Sequence, residues 1–204
     1  MMLQRILLIR HGETDWNAEG RGQGFAPTGL NDKGRAQAEA LAAHLAGRPI
    51  EALHSSDLPR AMETAAPLSK ALKLPILVDE RWREIHLGMF QGLTRSEAQQ
   101  KHPAELAARY ADYWNYVPTG GESRRALQDR AYAAWQAVIT QNAGPEIAII
   151  SHGGTINALL WKLFEADMVK FDRYITNTSV TSMTQQNSAW QLQEIAAIPH
   201  LQPD

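Results

Sequence analysis

Cysteine is absent from the 204 residues of the chain. That excludes a disulfide, a thiolate zinc site and a cysteine nucleophile, and it is compatible with a reducing compartment, so a cytoplasmic location is the expectation. An excess of charge of either sign is also missing: the formal net charge is -2 and the pI about 6.4. No general basic surface is offered to nucleic acid, and any anion site must be built locally. Long hydrophobic runs are lacking too. The longest near the N-terminus is too short for a signal core or a membrane-crossing helix, so no membrane partner is expected. Gly20, Gly22 and Gly24 do not make a GxGxxG fingerprint, and no Gly-Lys-Ser/Thr loop exists, which argues against the common nucleotide-binding folds. Internal repeats and low-complexity tracts are missing.

What is present is a sequence that is 44% hydrophobic, sufficient at this length to bury the core of one domain. The stretch Arg5-Ile6-Leu7-Leu8-Ile9-Arg10-His11-Gly12 sets four apolar residues in front of an arginine, a histidine and a glycine. A continuous apolar run fits a central strand of a parallel sheet, and such sheets bind ligands beyond the carboxyl ends of their strands. Gly12, lacking a Cβ, lets backbone or ligand approach the imidazole. Residues 12–31 form a loop dense in Gly and Pro, expected to wall the site.

The spacing then predicts a helix over 33–46, capped by Asn31 or Asp32, with Ala38, Leu41, Ala42 and Leu45 on one face and Gly47 as its stop. A short strand at 52–54 leads to a helix with Ser56 as N-cap and Leu58, Ala61, Ala65, Leu68 and Leu72 at helical spacing, and 76–78 makes a third strand. Residues 80–122 break the rhythm. Thr94 with Glu97 is a capping-box pattern, Pro103 can open another helix, and 118–121 is a loop, so this segment reads as a helical insert. Leu127, Ala131, Ala134, Trp135 and Val138 mark a helix face before the strand 147–150, a helix follows over 156–164, and 180–185 with 190–195 around Asn187-Ser188 reads as a hairpin. This order gives an α/β fold: a three-layer α/β/α sandwich with a mostly parallel central sheet, a helical insertion (about 80–122) over the active site and an antiparallel edge near the C-terminus, in a single domain over 1–204.

Two strand ends share a design. Arg10-His11-Gly12 and Ser151-His152-Gly153-Gly154 both place His-Gly just past an apolar strand, so the two histidines can face each other across one sheet edge. The backbone N–H groups of Gly153 and Gly154, at a helix N-terminus, favour an anion. Arg60 stands in the first turn of its helix, where a cation opposes the dipole at a cost of roughly 0.3–1 kcal/mol that a nearby anion would offset. Arg10, Arg60 and the two histidines together suit a phosphate dianion, with guanidinium forks matching its oxygens. The other histidines read as structural or surface, with His86 the one to check.

Three segments, Arg10-His11-Gly12-Glu13-Thr14 with Trp16-Asn17, then 55–61 with Glu63-Thr64-Ala65, then Ser151-His152-Gly153-Gly154, resemble in that order the histidine phosphatase (phosphoglycerate mutase-like) superfamily. The resemblance implies that His11 is a nucleophile forming a phosphohistidine, that Arg10, Arg60 and protonated His152 bind the phosphoryl group with help from Asn17, and that Glu84 is the proton donor. Read without it, Glu84 is a solvated loop acid. No metal and no cofactor are implied. Residues 118–123 resemble the phosphatase branch, and the insert is shorter than in cofactor-dependent phosphoglycerate mutases. The expected activity is therefore that of a metal-independent, histidine acid-type phosphatase acting on small phosphomonoesters. The alternatives are a cofactor-dependent phosphoglycerate mutase, or an α-ribazole-5'-phosphate phosphatase as a specific substrate case. Pro27 and Gly29-Leu30, where many relatives carry an aspartate and Pro-Leu, and Gln91-Gly92, where Glu-Gly is common, bear on pocket shape. A two-histidine, one-carboxylate metal site from His11, His152 and Glu84 is disfavoured because two arginines beside it would repel a divalent cation. A phospho-ligand binding module without turnover is disfavoured by the presence of both His11 and Glu84. The expected partner is a small phosphomonoester, with no nucleic acid; the oligomeric state, a homodimer among the candidates, is open.

Overall fold

The computed structural model describes residues 3–141, 144–168, 174–187 and 189–201, the side chains of 166 and 167 excepted. Strands β1 (Arg5–Arg10), β2 (Ile50–Ser55), β3 (Ile76–Val78), β4 (Glu146–Ser151), β5 (Val180–Gln186) and β6 (Ala189–Ala197) form one sheet in the order β3-β2-β4-β1-β5-β6. The first four are mutually parallel where they pair; β5 runs antiparallel to β1, and β6 antiparallel to β5. The mostly parallel sheet with an antiparallel edge is thus present, and of the hairpin turn only Ser188 lies outside the described residues.

The apolar run of β1 is continuous because both faces of the sheet are covered. Ile6 and Leu8, with Ile147 and Ile149 of β4, pack against Trp135, Leu159 and Leu160. These come from α6 (Arg124–Gln141) and α7 (Gly153–Met168). Their alternates Leu7, Ile9, Ala148 and Ile150 pack on the opposite face against Leu41, Leu45, Ala61 and Leu68. Those belong to α2 (Asp32–Leu45) and α3 (Pro59–Leu72), which completes a three-layer α/β/α sandwich.

Local signals place most element ends. Asn31 caps α2, its side chain accepting from the Gly34 N–H at 2.8 Å. Gly47 is not the stop; α2 ends at Leu45 with Ala46 still right-handed. Ser56 is not the N-cap of α3 either. That position is Leu58, because Pro59 at the first helical position needs no N–H partner and fixes where the helix begins. The last major helix starts at Gly153, at the helix N-terminus expected of Gly153 and Gly154 and three residues before the apolar spacing begins, and its regular dihedrals break at Phe164.

Residues 80–122 hold two short 3-10 turns (Glu80–Trp82 and Gly88–Phe90), α4 (Arg95–Lys101) and α5 (Pro103–Ala111). The Thr94–Glu97 capping box and the helix-opening Pro103 are both in place. Phe90, Ala98 and Leu106 give this insert a small core of its own. The glycine-rich loop, which includes α1 (Asp15–Ala18), is stitched to it: the Gly22 N–H donates to Leu93 O at 3.0 Å and the Gly92 N–H to Gly22 O at 2.8 Å. Loop and insert therefore stand together over the carboxyl ends of β1 and β4.

Candidate active site

In the β1–β4 pairing Arg10 stands opposite Ser151, so the two strands end together. The next residue of each chain segment is a histidine. The His11 N–H donates to Ser151 O at 3.0 Å, and the two imidazole centroids are 5.1 Å apart. Parallel pairing of two strands with the same terminal sequence is what brings His11 and His152 together. Gly12 is required by backbone and not by the imidazole: a Cβ there would lie 2.6 Å from Gly34 O in the first turn of α2.

His11 Nδ1 faces Gly12 O at 2.7 Å. A carbonyl can only accept, so Nδ1 carries the proton and Nε2 keeps its lone pair. Arg60 Nε donates to that Nε2 at 3.2 Å. Burial first, then the positive charges of Arg60 and Arg10, push His11 well below its ordinary range, against the opposing effect of the Gly12 carbonyl. The imidazole is a neutral base whose Nε2 lone pair accepts only the long hydrogen bond from Arg60, and an unprotonated Nε2 is the form a nucleophile needs.

Arg60 is fully buried. Its Nη1 and Nη2 donate to Ala26 O at 3.0 Å and Gly24 O at 2.8 Å, so the glycine-rich loop supplies the acceptors that hold a cation at a helix N-terminus. Burial pushes this guanidinium down to about 10, with Glu84 acting upward and Arg10 downward. Arg10 donates from Nη1 to Ile175 O at 2.7 Å, while its buried Nε has no partner among the described residues. His152 Nε2 meets Ser56 Oγ at 2.9 Å and its buried Nδ1 is likewise unpartnered there. Buried polar atoms are seldom left unpaired, and two of them at one cationic floor mark a place for acceptor oxygens. His152 was expected to be protonated. Burial, then Arg60, His11, Arg10 and Arg130, holds it well below its ordinary range, which favours the neutral form in the ligand-free protein; the negative charge of a bound phosphate acts in the opposite direction.

Glu84 is brought in by the insert. Its Oε2 accepts from the Gly154 N–H at 3.0 Å and its Oε1 from the Ile85 N–H at 2.8 Å. The helix N-terminus expected to face an outside anion is therefore partly occupied by this carboxylate, and a Cβ on Gly154 would fall 2.3 Å from Glu84 Oε1. Gly153 lines the cavity beside Arg10 Nε. Asn17 also reaches it, its Oδ1 accepting from the Thr14 N–H and the Asn177 Nδ2, both at 3.2 Å. Arg10, His11, Asn17, Arg60, Glu84, Gly153 and Gly154 thus line one cavity, with His152 beside His11 beneath it; His86 does not line it, being held by the Gly88 N–H and the Phe25 ring.

Two positioning residues carry no sequence signal of comparable strength. Asn177 Nδ2 bridges His11 O and Asn17 from the segment before β5. Arg130, one step off the apolar face of α6, donates from Nη1 to Arg81 O and Arg83 O and from Nη2 to Glu84 O and Glu122 Oε1, clamping the backbone that carries Glu84. Its place between Leu127 and Ala131 is the one hint a helical reading offers. The cavity above the floor measures about 340 Å³ and is walled by the loop, the insert and α7, with Trp114, Trp161 and Tyr174 among its apolar surfaces. Among the described residues no group of three or more His, Asp or Glu side chains is placed to hold a metal ion. No described helix is long and apolar enough to cross a membrane.

A glucosyl-3-phosphoglycerate phosphatase of Mycolicibacterium vanbaalenii is 41% identical over 167 residues, covering 78% of this chain and 73% of that protein. Phosphoglycerate mutase-like protein 4 of Arabidopsis thaliana is 37% identical over 201 residues, 97% of this chain and 86% of that one. A crystal structure of a putative alpha-ribazole-5'-P phosphatase from Escherichia coli superposes with a TM-score of 0.87 at 25% identity, covering 96% and 97% of the two chains. The family model for the histidine phosphatase superfamily (branch 1) matches residues 6–198, so the chain belongs to that family and is a phosphomonoester hydrolase of the histidine phosphatase type.

Proposed function

We propose that His11 Nε2 is the atom that takes the phosphoryl group. The observation that carries this is its tautomer: Nδ1 is committed to Gly12 O, leaving a lone pair on Nε2 between Arg60 and His152. In the first step the Nε2–P bond forms as the P–O bond to the leaving group breaks, with Arg10, Arg60 and His152 opposing the charge on the non-bridging oxygens and Asn17 assisting. Glu84, entering this step as the carboxylic acid, gives its proton to the departing alkoxide. In the second step Glu84, now a carboxylate, takes a proton from the water whose oxygen attacks phosphorus, the N–P bond breaks and inorganic phosphate leaves. No step requires a metal ion. A mutase would need to retain and reorient a bisphosphorylated intermediate, a requirement that hydrolysis does not have.

The relatives acting on glucosyl-3-phosphoglycerate and on an alpha-ribazole phosphate support small phosphorylated metabolites as the substrate class. The deciding experiment compares wild type, His11→Ala and Glu84→Gln on p-nitrophenyl phosphate and on an alkyl phosphate, with acid-labile phosphate trapped on the enzyme. His11→Ala is expected to lose turnover and trapped phosphate together. Glu84→Gln is expected to lose far more rate on the alkyl ester, whose leaving group needs the proton. A His11→Ala protein with wild-type turnover would remove the assignment.

A further inference from the structure

The main chain that carries Arg10 and His11 out of β1 is splinted by one later segment, Ile175 to Ser179. Arg10 Nη1 donates to Ile175 O at 2.7 Å and the Arg10 N–H to Ser179 O at 3.2 Å. In the other direction the Asn177 Nδ2 donates to His11 O at 3.0 Å, and the Thr178 N–H is shared between Arg10 O at 3.0 Å and His11 O at 3.3 Å. His11 Nδ1 is tied to the carbonyl of the next residue, Gly12. The imidazole therefore follows its own backbone, and whatever fixes that backbone aims Nε2.

The splint is strained at its centre. Thr178 is fully buried and has φ +54°, a left-handed conformation that glycine and asparagine adopt readily and a β-branched residue rarely does. Such a conformation persists where its surroundings over-determine it, and it clusters at functional sites. Here the backbone N–H is one restraint and the hydroxyl is the other. Thr178 Oγ1 donates to Asn177 O at 2.8 Å, so it meets His200 Nε2, 3.1 Å away, as an acceptor and the imidazole is the donor. His200 stands in the C-terminal 3-10 turn (Pro199–Leu201), which packs on α2 with its ring 5.9 Å from that of His44. The end of the chain thus reaches the main chain of His11 through a single intervening residue.

We infer that Thr178 and His200 are positioning residues for phosphoryl transfer: the hydrogen bond between them locks the strained turn that aims His11 Nε2 at phosphorus. The inference rests on the reading of His11 as the nucleophile.

The test removes the bond from either side. His200→Phe keeps a ring without the donor, and Thr178→Val keeps the branch without the hydroxyl. Each should lower kcat/KM on p-nitrophenyl phosphate by roughly tenfold, the scale on which small misplacements slow an oriented attack. The same factor is expected on an alkyl phosphate, because the nucleophile and not the proton donor is disturbed. The competitive Ki of inorganic phosphate should move less than about twofold, as for an interaction used in the transition state alone. The double variant should lose no more than either single one, since both delete one bond. His200→Gln and Thr178→Ser, which keep the donor and the hydroxyl, should retain most of the rate. Glu146→Gln, which removes the buried partner of Arg48 at the amino end of β4, controls for lost stability alone. Should Thr178→Val fail to fold, His200→Phe, at the chain's far end, reads the same loss. Unchanged turnover in His200→Phe, losses that add in the double variant, conservative variants that lose as much as the others, or a phosphate Ki that rises with the loss would each overturn the latch while leaving the phosphatase reading intact. A wild type inert toward both esters would instead remove the phosphatase reading, and the latch's role with it.

Discussion

Two neutral histidines buried among arginines make the site a liability at low pH. An unfolded histidine titrates near 6.5, whereas burial and the neighbouring charges hold His11 and His152 well below that in the fold. As pH falls through about 6.5 the unfolded chain takes up protons that the folded chain refuses, so the stability these groups contribute is complete above that value and declines below it. His200, pushed down to about 4 by burial and then by His44, adds to the same slope. Glu13, Asp57 and Asp79 are held below their ordinary carboxylate range and lose stability only at lower pH, which leaves the interval from about 6.5 to 5 to the histidines. Thermal melts across that interval should show a falling midpoint, and His152→Asn should flatten the fall; an unchanged slope would mean that His152 is not held neutral. Which residues sequence could show follows from how each reaches the site. His11, Arg10 and His152 are legible because a strand end places them. Glu84 is not, since its carboxylate arrives from an insert and is fixed by Gly154, 70 residues away. Asn177 and Arg130 act through backbone carbonyls of distant segments, a role that leaves no local pattern.

Where β1 leaves the sheet, it must pass the first turn of α2 at backbone distance. A Cβ on Gly34 would stand 2.0 Å from Glu13 O and 2.7 Å from Glu13 N, and one on Gly12 2.6 Å from Gly34 O. Both clashes are with main chain, so no rotamer change relieves them. The crossing fixes the loop start that carries His11, because the Asn31 N–H also donates to Glu13 O at 3.0 Å and the Gly12 N–H to Thr64 Oγ1 at 2.9 Å. Gly34→Ala is expected to cost about 3 kcal/mol or more, the upper range for inserting atoms into a packed site. Gly12→Ala, with the longer approach, should cost less. Denaturant midpoints would measure both, and a loss under about 1 kcal/mol for Gly34→Ala would show that the helix start shifts freely. The sequence hints at Gly34, since a glycine inside a helical pattern costs about 0.5–1 kcal/mol against alanine and calls for a packing reason. It gives no hint of the partner segment, and Gly12 reads as room for the imidazole when the neighbour is in fact α2. The start of α3 differs from the expected cap at Ser56 for another reason, since Pro59 fixes it, whereas the His-Gly-Gly that opens α7 is legible as a helix N-terminus even though the apolar spacing begins only at Ile156.

Across the whole sheet, chemistry and stabilisation lie at opposite ends of the same strands. The carboxyl ends of β1 and β4 are crowded with cations that lack carboxylate partners, a costly arrangement in the absence of substrate. At the amino end of β4 the reverse holds. Buried Glu146 accepts from Arg48 Nε at 2.6 Å and Nη2 at 2.8 Å, with Arg5 a further 3.9 Å away, and the bidentate bond raises Arg48 above its ordinary range. This pair ties the segment after α2 to the central strand, and with about 3.3 Å per residue it sits one strand length, roughly 16 Å, from Ser151, the residue before His152. Glu146→Gln keeps the shape but removes the charge that Arg48 faces. Because Arg48 is partly exposed, water screens the loss, and about 1–2 kcal/mol of stability is expected to go. Since no side chain of the site is hydrogen-bonded or ion-paired to Glu146, kcat/KM should stay within about twofold of wild type at a temperature where the variant is folded. Urea unfolding and turnover of p-nitrophenyl phosphate on the same preparation would decide it. A variant that keeps its stability would show the pair to be dispensable, whereas one that loses activity while still folded would show that strain at the amino end of β4 travels along the strand to His152.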